Sequence, residues 1–153
     1  MSKQRVVITG LGVCAPNGVG VPAFKEALET GKSGIRFYSE LEKLKFSCQI
    51  GGMPLISEAV KTKYFTPLQL RNFNSAGILY GVVAGVEAWQ DAQLPTDEEQ
   101  CDFDSGTVFG VGSLGVDKYR ESIYKIDEGN TRRLGSTSVQ QTMSSGVSAY
   151  LGG

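Results

Sequence analysis

The sequence has 153 residues, of which 41% are hydrophobic, and a formal net charge of −1, which fits one globular domain. This charge gives no electrostatic reason to expect nucleic acid or an anionic membrane surface as a partner. No apolar run approaches the roughly 20 residues that cross a bilayer, and the N-terminus lacks the apolar core of a signal peptide. We therefore expect a cytoplasmic protein that binds neither nucleic acid nor membrane.

Histidine is absent from the sequence and cysteine is rare, which excludes several kinds of site. Without histidine the chain holds no Ser-His-Asp or Cys-His catalytic set and no imidazole metal ligand. Cys14, Cys48 and Cys101 are widely spaced, with no CxxC pair, so neither a zinc site nor a disulfide framework is indicated. We expect the three cysteines to be small buried hydrophobic residues, and we expect no metal and no cofactor.

The N-terminal run Arg5–Gly12 is apolar throughout, which is typical of a strand buried on both faces. Gly10-x-Gly12-x-x-Ala15 also matches the looser dinucleotide-binding fingerprint. However, Pro16-Asn17-Gly18 interrupts the place where the phosphate-binding helix should run, and no acidic residue ends a second strand ~20 residues later. We therefore interpret these glycines as the end of a strand and the start of a loop.

A first helix is predicted next, with Pro22 in its first turn and Gly31 as its C-cap. Gly31-Lys-Ser-Gly34 resembles the end of a P-loop. That motif follows a strand and needs an earlier glycine where Glu26 stands, so the cap is the better interpretation.

The middle of the chain contains the strongest helical pattern, Gln69–Gln93, after a predicted short strand at Phe46–Ile50 and a surface loop at Lys61–Pro67. Small residues between its apolar positions allow close approach, so we expect this helix to be buried on most sides in a layered α/β domain. Its recurring apolar residues are Ile78, Val82, Val83, Val86 and Trp89.

Four carboxylates then cluster in the stretch Pro95–Asp104, which we interpret as a solvated loop because no metal-ligand spacing is present. Acid–base or metal chemistry is the alternative for this cluster. Its members are Asp97, Glu98, Glu99 and Asp102.

Gly106–Gly115 is predicted to be a short buried strand that runs into a glycine-rich turn, followed by an amphipathic helix over Val116–Ile126. Gly110-x-Gly112-x-x-Gly115 satisfies a phosphate-cradling pattern, which leaves a nucleotide-dependent oxidoreductase as an alternative function. The final segment, Thr137–Leu151, repeats apolar residues every four positions and is rich in serine and glycine, which indicates tight packing.

Five segments occur in the order found in β-ketoacyl-acyl-carrier-protein synthases, the condensing enzymes of fatty-acid and polyketide synthesis. The chain resembles the N-terminal part of that family from about Arg5 to Leu151. Each motif alone is weak, but five in register are specific. The segments are Arg5–Gly12, Gly31–Ile35, Gly81–Ala92, Gly110–Gly115 and Ser145–Ala149.

The resemblance implies an α/β, thiolase-like layered fold in which residues 1–153 supply most of the first of two βαβαβαββ halves. The implied reaction is a decarboxylative Claisen condensation. An active-site Cys takes an acyl group from acyl carrier protein, and malonyl carrier protein attacks it after losing carbon dioxide. Acyl and malonyl carrier-protein thioesters are the implied partners, together with a second subunit in a homodimer.

The resemblance also places the nucleophilic Cys shortly after Ser145–Ala149 and the catalytic His and Lys residues much later. None of Cys14, Cys48 and Cys101 matches that nucleophile, so we expect the 153 residues alone to be inactive and poorly stable, with open sheet edges. Three interpretations remain: a piece of a complete enzyme, which we favour; a natural half whose partner subunit carries the catalytic residues; and a non-catalytic binding relic. Non-catalytic partners related to chain-length-determining subunits share the family's fold without its nucleophile.

By the same resemblance, an acyl tunnel is walled by the turn after the third strand and by residues that reach over from the other subunit, and the matching positions here lie in that turn and in the last segment. The matching residues are Gly110, Val111, Ser138, Val139 and Met143. A flexible methionine and a β-branched valine suit a wall that accepts alkyl chains, whereas simple core packing is the alternative role for each.

Overall fold

The computed structural model describes residues 5–95 and 103–153, which fall into two compact units. The first unit comprises Met1–Ile56 and Ala84–Pro95, and the second comprises Ser57–Val83 and Thr96–Gly153. Cys101 and the carboxylates Asp97, Glu98, Glu99 and Asp102 lie outside the described residues, so the interpretation of the acidic stretch stays a prediction.

Among its described residues, the first unit contains two short antiparallel strand pairs and two helices, together with the second half of the long helix α5 (Ala76–Asp91). Cys14–Ala15 pairs with Gly18–Val19 around the turn at Pro16-Asn17, and Arg36–Phe37 pairs with Ile50–Gly51. The elements are β1 (Cys14–Ala15), β2 (Gly18–Val19), α1 (Val21–Glu29), β3 (Arg36–Phe37), α2 (Ser39–Lys43) and β4 (Ile50–Gly51).

Helix α1 confirms the predicted helix and its C-cap. Pro22 lies in the first turn. Gly31 adopts φ +66°, and the N–H of Lys32 donates to the carbonyl of Ala27 at 2.8 Å. This left-handed glycine closes the helix end and satisfies carbonyls that would otherwise lack a donor. Ala27 is the buried contact of the helix, with 2% of its surface exposed.

The glycines of the N-terminal segment lie directly on the second half of α5 (Ala76–Asp91). A Cβ on Gly10 would collide with the backbone of Ala88, and one on Gly12 with that of Ala84. Small residues on both sides therefore permit a backbone-to-backbone approach. This confirms the prediction that the small residues of this helix allow close packing.

Two of the cysteines do not have the buried environment that we expected. Cys14 is only half-buried, and Cys48 is exposed. Burial, assisted by the negative charge of Glu87, raises the pKa of the Cys14 thiol to about 11.

The second unit is helical, with α3 (Glu58–Tyr64), α4 (Pro67–Asn72), the first half of α5, α6 (Val116–Asp127) and α7 (Gly146–Leu151). It also contains 3-10 turns at Thr131–Arg133 and Gln140–Thr142. Because α3 covers Lys61–Tyr64, the loop predicted for Lys61–Pro67 is wrong over most of its length. Ser57 caps α3 by accepting from the N–H of Val60 at 3.2 Å, a local start signal that outweighs the polar composition.

The predicted long helix is divided because residues 73–75 interrupt it between α4 and α5. The core of the unit forms around α5, where Ile78, Val82 and Val83 are at most 1% exposed. Val147 of α7 is fully buried against this helix, 2.6 Å from the position of a Cβ on Gly81. A larger residue at this glycine would force α7 away.

The two predicted buried strands are wrong for this structure. Residues 5–13 and 105–110 form no strand ladder, and Val6, Ile8 and Val108 are 96%, 86% and 100% exposed. A strand buried on both faces needs neighbours at its edges and a layer on each face, which the described residues do not supply. The strand predicted at Phe46–Ile50 is limited to Ile50, which begins β4.

Candidate functional site

The glycine-rich turn before α6 contains one constrained glycine and two unconstrained ones. Nothing lies within 4 Å of a Cβ placed on Gly110 or Gly112. Gly115 is the N-cap of α6 with φ +67°, and a Cβ there would collide with the carbonyl of Gln141. Only Gly115 is therefore required by the backbone.

Phosphate binding has little support at this turn. The turn does not follow a strand, and Asp117 places a carboxylate in the first turn of α6, where the negative charge of a phosphate would have to lie. The turn consequently differs from a nucleotide cradle in both its backbone and its charge.

Phosphate binding is also disfavoured at the second glycine pattern, Gly10-x-Gly12. The N–H of Leu11 donates to Asp91 at 2.9 Å, and the N–H of Val13 donates to Glu87, also at 2.9 Å. Carboxylates of α5 thus occupy two of the amides at this turn and place negative charge beside it.

An apolar groove of about 380 Å³ runs along α6 in the second unit. We call it the α6 groove. Tyr119, Ile123 and Ile126 of the helix remain 53–54% exposed, and Val139, which also lines the groove, is 70% exposed. The groove is lined by Tyr119, Ser122, Ile123, Ile126, Leu134, Gly135, Ser138, Val139 and Thr142. Its apolar walls suit an alkyl chain.

A smaller cavity of about 230 Å³ has Gln140, Met143, Phe73, Ile78 and Tyr150 among its lining residues. The ring of Tyr150 meets that of Phe73 edge to face at 5.8 Å. Its hydroxyl is buried with no hydrogen-bond partner among the described residues, and burial raises the pKa of this phenol.

The five predicted tunnel residues do not share one cavity in this structure. Ser138 and Val139 lie together in the α6 groove, whereas Met143 lines the smaller cavity. Gly110 is exposed, Val111 is half-buried, and neither lines these two cavities. Assignment of the five to one tunnel therefore stays a prediction.

A polar cavity of about 340 Å³ is lined by part of the segment 133–141 and by four cationic side chains, those of Arg71, Lys118, Lys125 and Arg133. Glu121 bridges Lys118 at 2.7 Å and Lys125 at 2.6 Å. Hydrogen bonds from Lys118 and then Lys125 lower the pKa of this carboxyl from 4.5 to about 2.

Sequence reasoning missed a buried polar network at the start of α5. The side chain of Gln141 is 5% exposed, and its Oε1 accepts from the N–H groups of Asn74 at 2.8 Å and Ser75 at 2.9 Å. Asp117 accepts from the Ser75 hydroxyl at 3.3 Å and the Ala76 N–H at 3.1 Å. The sequence shows only that Asp117 is an acidic residue in the first turn of a predicted helix. That pattern does not reveal its contact with the distant Ser75.

The described residues contain no group of three or more His, Cys, Asp or Glu side chains that could hold a metal ion. Within the same ranges, no helix combines the length and apolar character needed to cross a bilayer.

Comparisons with known proteins cover nearly the whole chain. The family described as Beta-ketoacyl synthase, N-terminal domain, matches residues 3–152. The 3-oxoacyl-[acyl-carrier-protein] synthase 2 of Vibrio harveyi is 30% identical over 151 residues, which is 99% of this chain and 35% of that protein.

Two solved structures share the fold. A β-ketoacyl synthase from Burkholderia phymatum STM815 superposes with a TM-score of 0.75 at 23% identity, over 97% of this chain and 36% of that chain. The ishigamide ketosynthase/chain length factor gives a TM-score of 0.72 at 20% identity, over 98% and 36%. These likenesses confirm the predicted α/β, thiolase-like fold. The chain spans about a third of the length of these relatives.

Proposed function

Because the chain belongs to the β-ketoacyl synthase family, whose N-terminal domain matches residues 3–152, we propose that it is the N-terminal portion of a 3-oxoacyl-[acyl-carrier-protein] synthase. The family match is the observation that carries this proposal. The apolar α6 groove supports it, because a condensing enzyme must bind the alkyl tail of its acyl substrate.

The proposed reaction joins an acyl group to a malonyl unit in the cytoplasm. A Cys thiolate outside these 153 residues attacks the acyl-carrier-protein thioester and releases the carrier thiol. The malonyl thioester then loses carbon dioxide, and the resulting carbanion attacks the enzyme-bound acyl group and expels the Cys thiolate. Backbone amides stabilise the oxyanion of each step, and no cofactor is needed.

The 153 residues contribute substrate binding to this reaction rather than its chemistry. They contain no histidine, and none of Cys14, Cys48 and Cys101 occupies the family's nucleophile position. Gly110, Val111, Ser138, Val139 and Met143 are the proposed acyl-tunnel residues. The catalytic Cys, His and Lys positions belong to the remainder of a longer chain or to a partner subunit, and the assembled enzyme is a homodimer or a pair of related subunits.

Substitution of Val111 by phenylalanine in the full-length protein tests the tunnel assignment. We expect Val111→Phe to shorten the acyl chains accepted by about two to four carbons while condensation of the shortest primers persists, because an aromatic ring fills space that the distal carbons need. The measurement is kcat/KM for a series of acyl carrier-protein substrates with malonyl carrier protein.

Leu28→Phe is the matched control, since Leu28 is an apolar residue of the other unit and 61% exposed. It should leave the chain-length profile unchanged. An unchanged profile for Val111→Phe would contradict a tunnel role for this residue. Absence of condensation by the unsubstituted full-length protein would contradict the proposed function itself.

A non-catalytic partner subunit is the second candidate, and the likeness to a ketosynthase/chain length factor favours considering it. The residue at the nucleophile position of the full-length protein discriminates between the two. A Cys there, followed by two later His residues, supports the enzyme, whereas any other residue supports the partner subunit.

A further inference from the structure

The first turn of α5 is held by side chains from two other elements rather than by its own. A helix begins with backbone N–H groups that have no partner inside the helix. Here Gln141 Oε1 accepts from Asn74 and Ser75, and the Asp117 carboxylate accepts from Ala76 and from the Ser75 hydroxyl. Ser75 is completely buried, so water cannot replace the Gln141 oxygen as the acceptor of its N–H.

The two acceptors come from the two segments that carry the proposed tunnel residues. Gln141 lies midway between Val139 and Met143 in the sequence. Asp117 follows the turn that contains Val111, in the first turn of α6. Ser75 therefore connects both segments through a single buried point.

The backbone between the two segments is also tightly fitted. Gly115 lies against the carbonyl of Gln141 and the Cα of Thr142 so closely that a Cβ would not fit. In addition, the hydroxyl of Thr137 donates to the carbonyl of Asn72 at 2.7 Å. A shift of the Ser138–Met143 segment would thus break buried hydrogen bonds or open a void, both of which are costly.

We propose that Gln141 and Asp117 are positioning residues, which fix the two tunnel-wall segments against the start of α5 and thereby set the length of acyl chain that the enzyme accepts. This inference rests on the proposed function. Neither side chain touches the substrate; each acts through the placement of Val111, Val139 and Met143.

Gln141→Met is the principal test because it keeps the length of the side chain and removes the acceptor of two N–H groups, of which that of Ser75 is buried. In the full-length protein we expect hydrogen exchange at the amides of Asn74 and Ser75 to accelerate by about tenfold or more. We also expect the ratio of kcat/KM for long and short acyl chains to change by about threefold or more.

Three further variants make the test specific. Gln141→Glu keeps an accepting oxygen, but its charge would be buried close to the Asp117 carboxylate, so we expect it to restore both readouts only in part. Asp117→Asn weakens the same hydrogen-bond network from the side of α6 and replaces Gln141→Met as the test variant if the latter does not fold. Ala27→Gly, in the other unit, lowers stability by a helix effect and should leave the chain-length ratio unchanged.

The outcomes separate this inference from the function on which it rests. If Gln141→Met exchanges faster but keeps the same chain-length ratio, the positioning role is overturned. Condensation by the unsubstituted protein would still uphold the proposed function in that case. A ratio that changes as much in Ala27→Gly as in Gln141→Met also overturns it. If the unsubstituted full-length protein catalyses no condensation, the function and this inference fall together, whatever the exchange data show.

Discussion

Alanine substitutions at two glycines, one at each end of α6, distinguish the stability cost of backbone strain from that of steric contact. Gly115 and Gly129 have φ +67° and +73°, so alanine at either position carries a left-handed penalty of about 1–2 kcal/mol. At Gly115 the new Cβ would also meet the carbonyl of Gln141, whereas nothing lies within 4 Å of one at Gly129. We expect Gly115→Ala to cost about 2 kcal/mol more than Gly129→Ala.

Urea unfolding of the two variants, followed by circular dichroism, measures this difference directly. Because both glycines flank the same helix, Gly129→Ala is the matched control for the backbone term. Equal unfolding free energies for the two variants would show that the turn moves freely away from Gln141. That result would also weaken the assignment of Gln141 as a fixed point.

The ion pairs of Glu121 with Lys118 and Lys125 are expected to stabilise the folded state by a small amount that depends on pH. Its folded pKa of about 2 lies below the ordinary 4.5, so the stabilisation is fully present above about pH 5 and is lost as the pH falls toward 2. The side chain is 45% exposed, and solvent screening limits the contribution to about 0.5–1 kcal/mol. We therefore expect Glu121→Gln to lower the free energy of unfolding at pH 7 and to have no effect near pH 2.

The measurement is urea unfolding from pH 2 to 7 in low salt. Glu29→Gln is the control, because Glu29 pairs with Lys25 at a longer 3.8 Å and both side chains are well exposed. A pH-independent difference between Glu121→Gln and the unsubstituted protein would mean that the ion pairs with Lys118 and Lys125 do not form in solution.

At the level of elements, local signals predicted the helices well. The amphipathic pattern of α6 and the Pro22 and Gly31 signals of α1 depend on neighbouring residues only, and both helices formed where expected. The short helix α3 was missed because its polar surface has no apolar period, although Ser57 supplies an N-cap. The interruption at residues 73–75 depends on acceptors from distant elements, which no local pattern reveals.

Strands were predicted less well, for a physical reason. Arg5–Gly12 has the apolar composition of a central strand, but a strand exists only when another chain segment pairs with it. The described residues provide no such neighbour, and the run stays exposed. The fold class was nevertheless predictable, because five motifs in register carry more information than any one segment.

The candidate site was partly predictable at this level. The apolar face of α6 and the position of Val139 followed from periodicity and resemblance, and the structure brings both to one groove. The separation of Met143 from this groove and the burial of Gln141 arise from packing across the Gln140–Thr142 turn. Tertiary contacts of this kind are not encoded in residue spacing.

At the level of the whole molecule, the main feature is a set of apolar residues that neither unit buries. Val6 and Ile8 in the first unit, and Val108 and Phe103 in the second, are at least 86% exposed. Monomeric proteins keep contiguous exposed apolar patches to a few hundred Å². These residues are therefore expected to favour contact with other apolar surfaces.

We expect the 153-residue chain to bind the dye 1-anilinonaphthalene-8-sulfonate while retaining its helical circular dichroism, and to associate at micromolar concentration, because its exposed apolar segments favour contact with other apolar surfaces. Val6→Thr, Ile8→Thr and Val108→Thr combined should lower the dye fluorescence by about half or more without loss of helix, since these side chains contact little else.

Thr30→Ser, an exposed position outside both segments, is the control and should leave the fluorescence unchanged. Dye fluorescence, analytical ultracentrifugation and thermal melting measure these effects. A cooperative melt of a monomer without dye binding would contradict the expectation, because the apolar segments would then have to be buried within the chain itself.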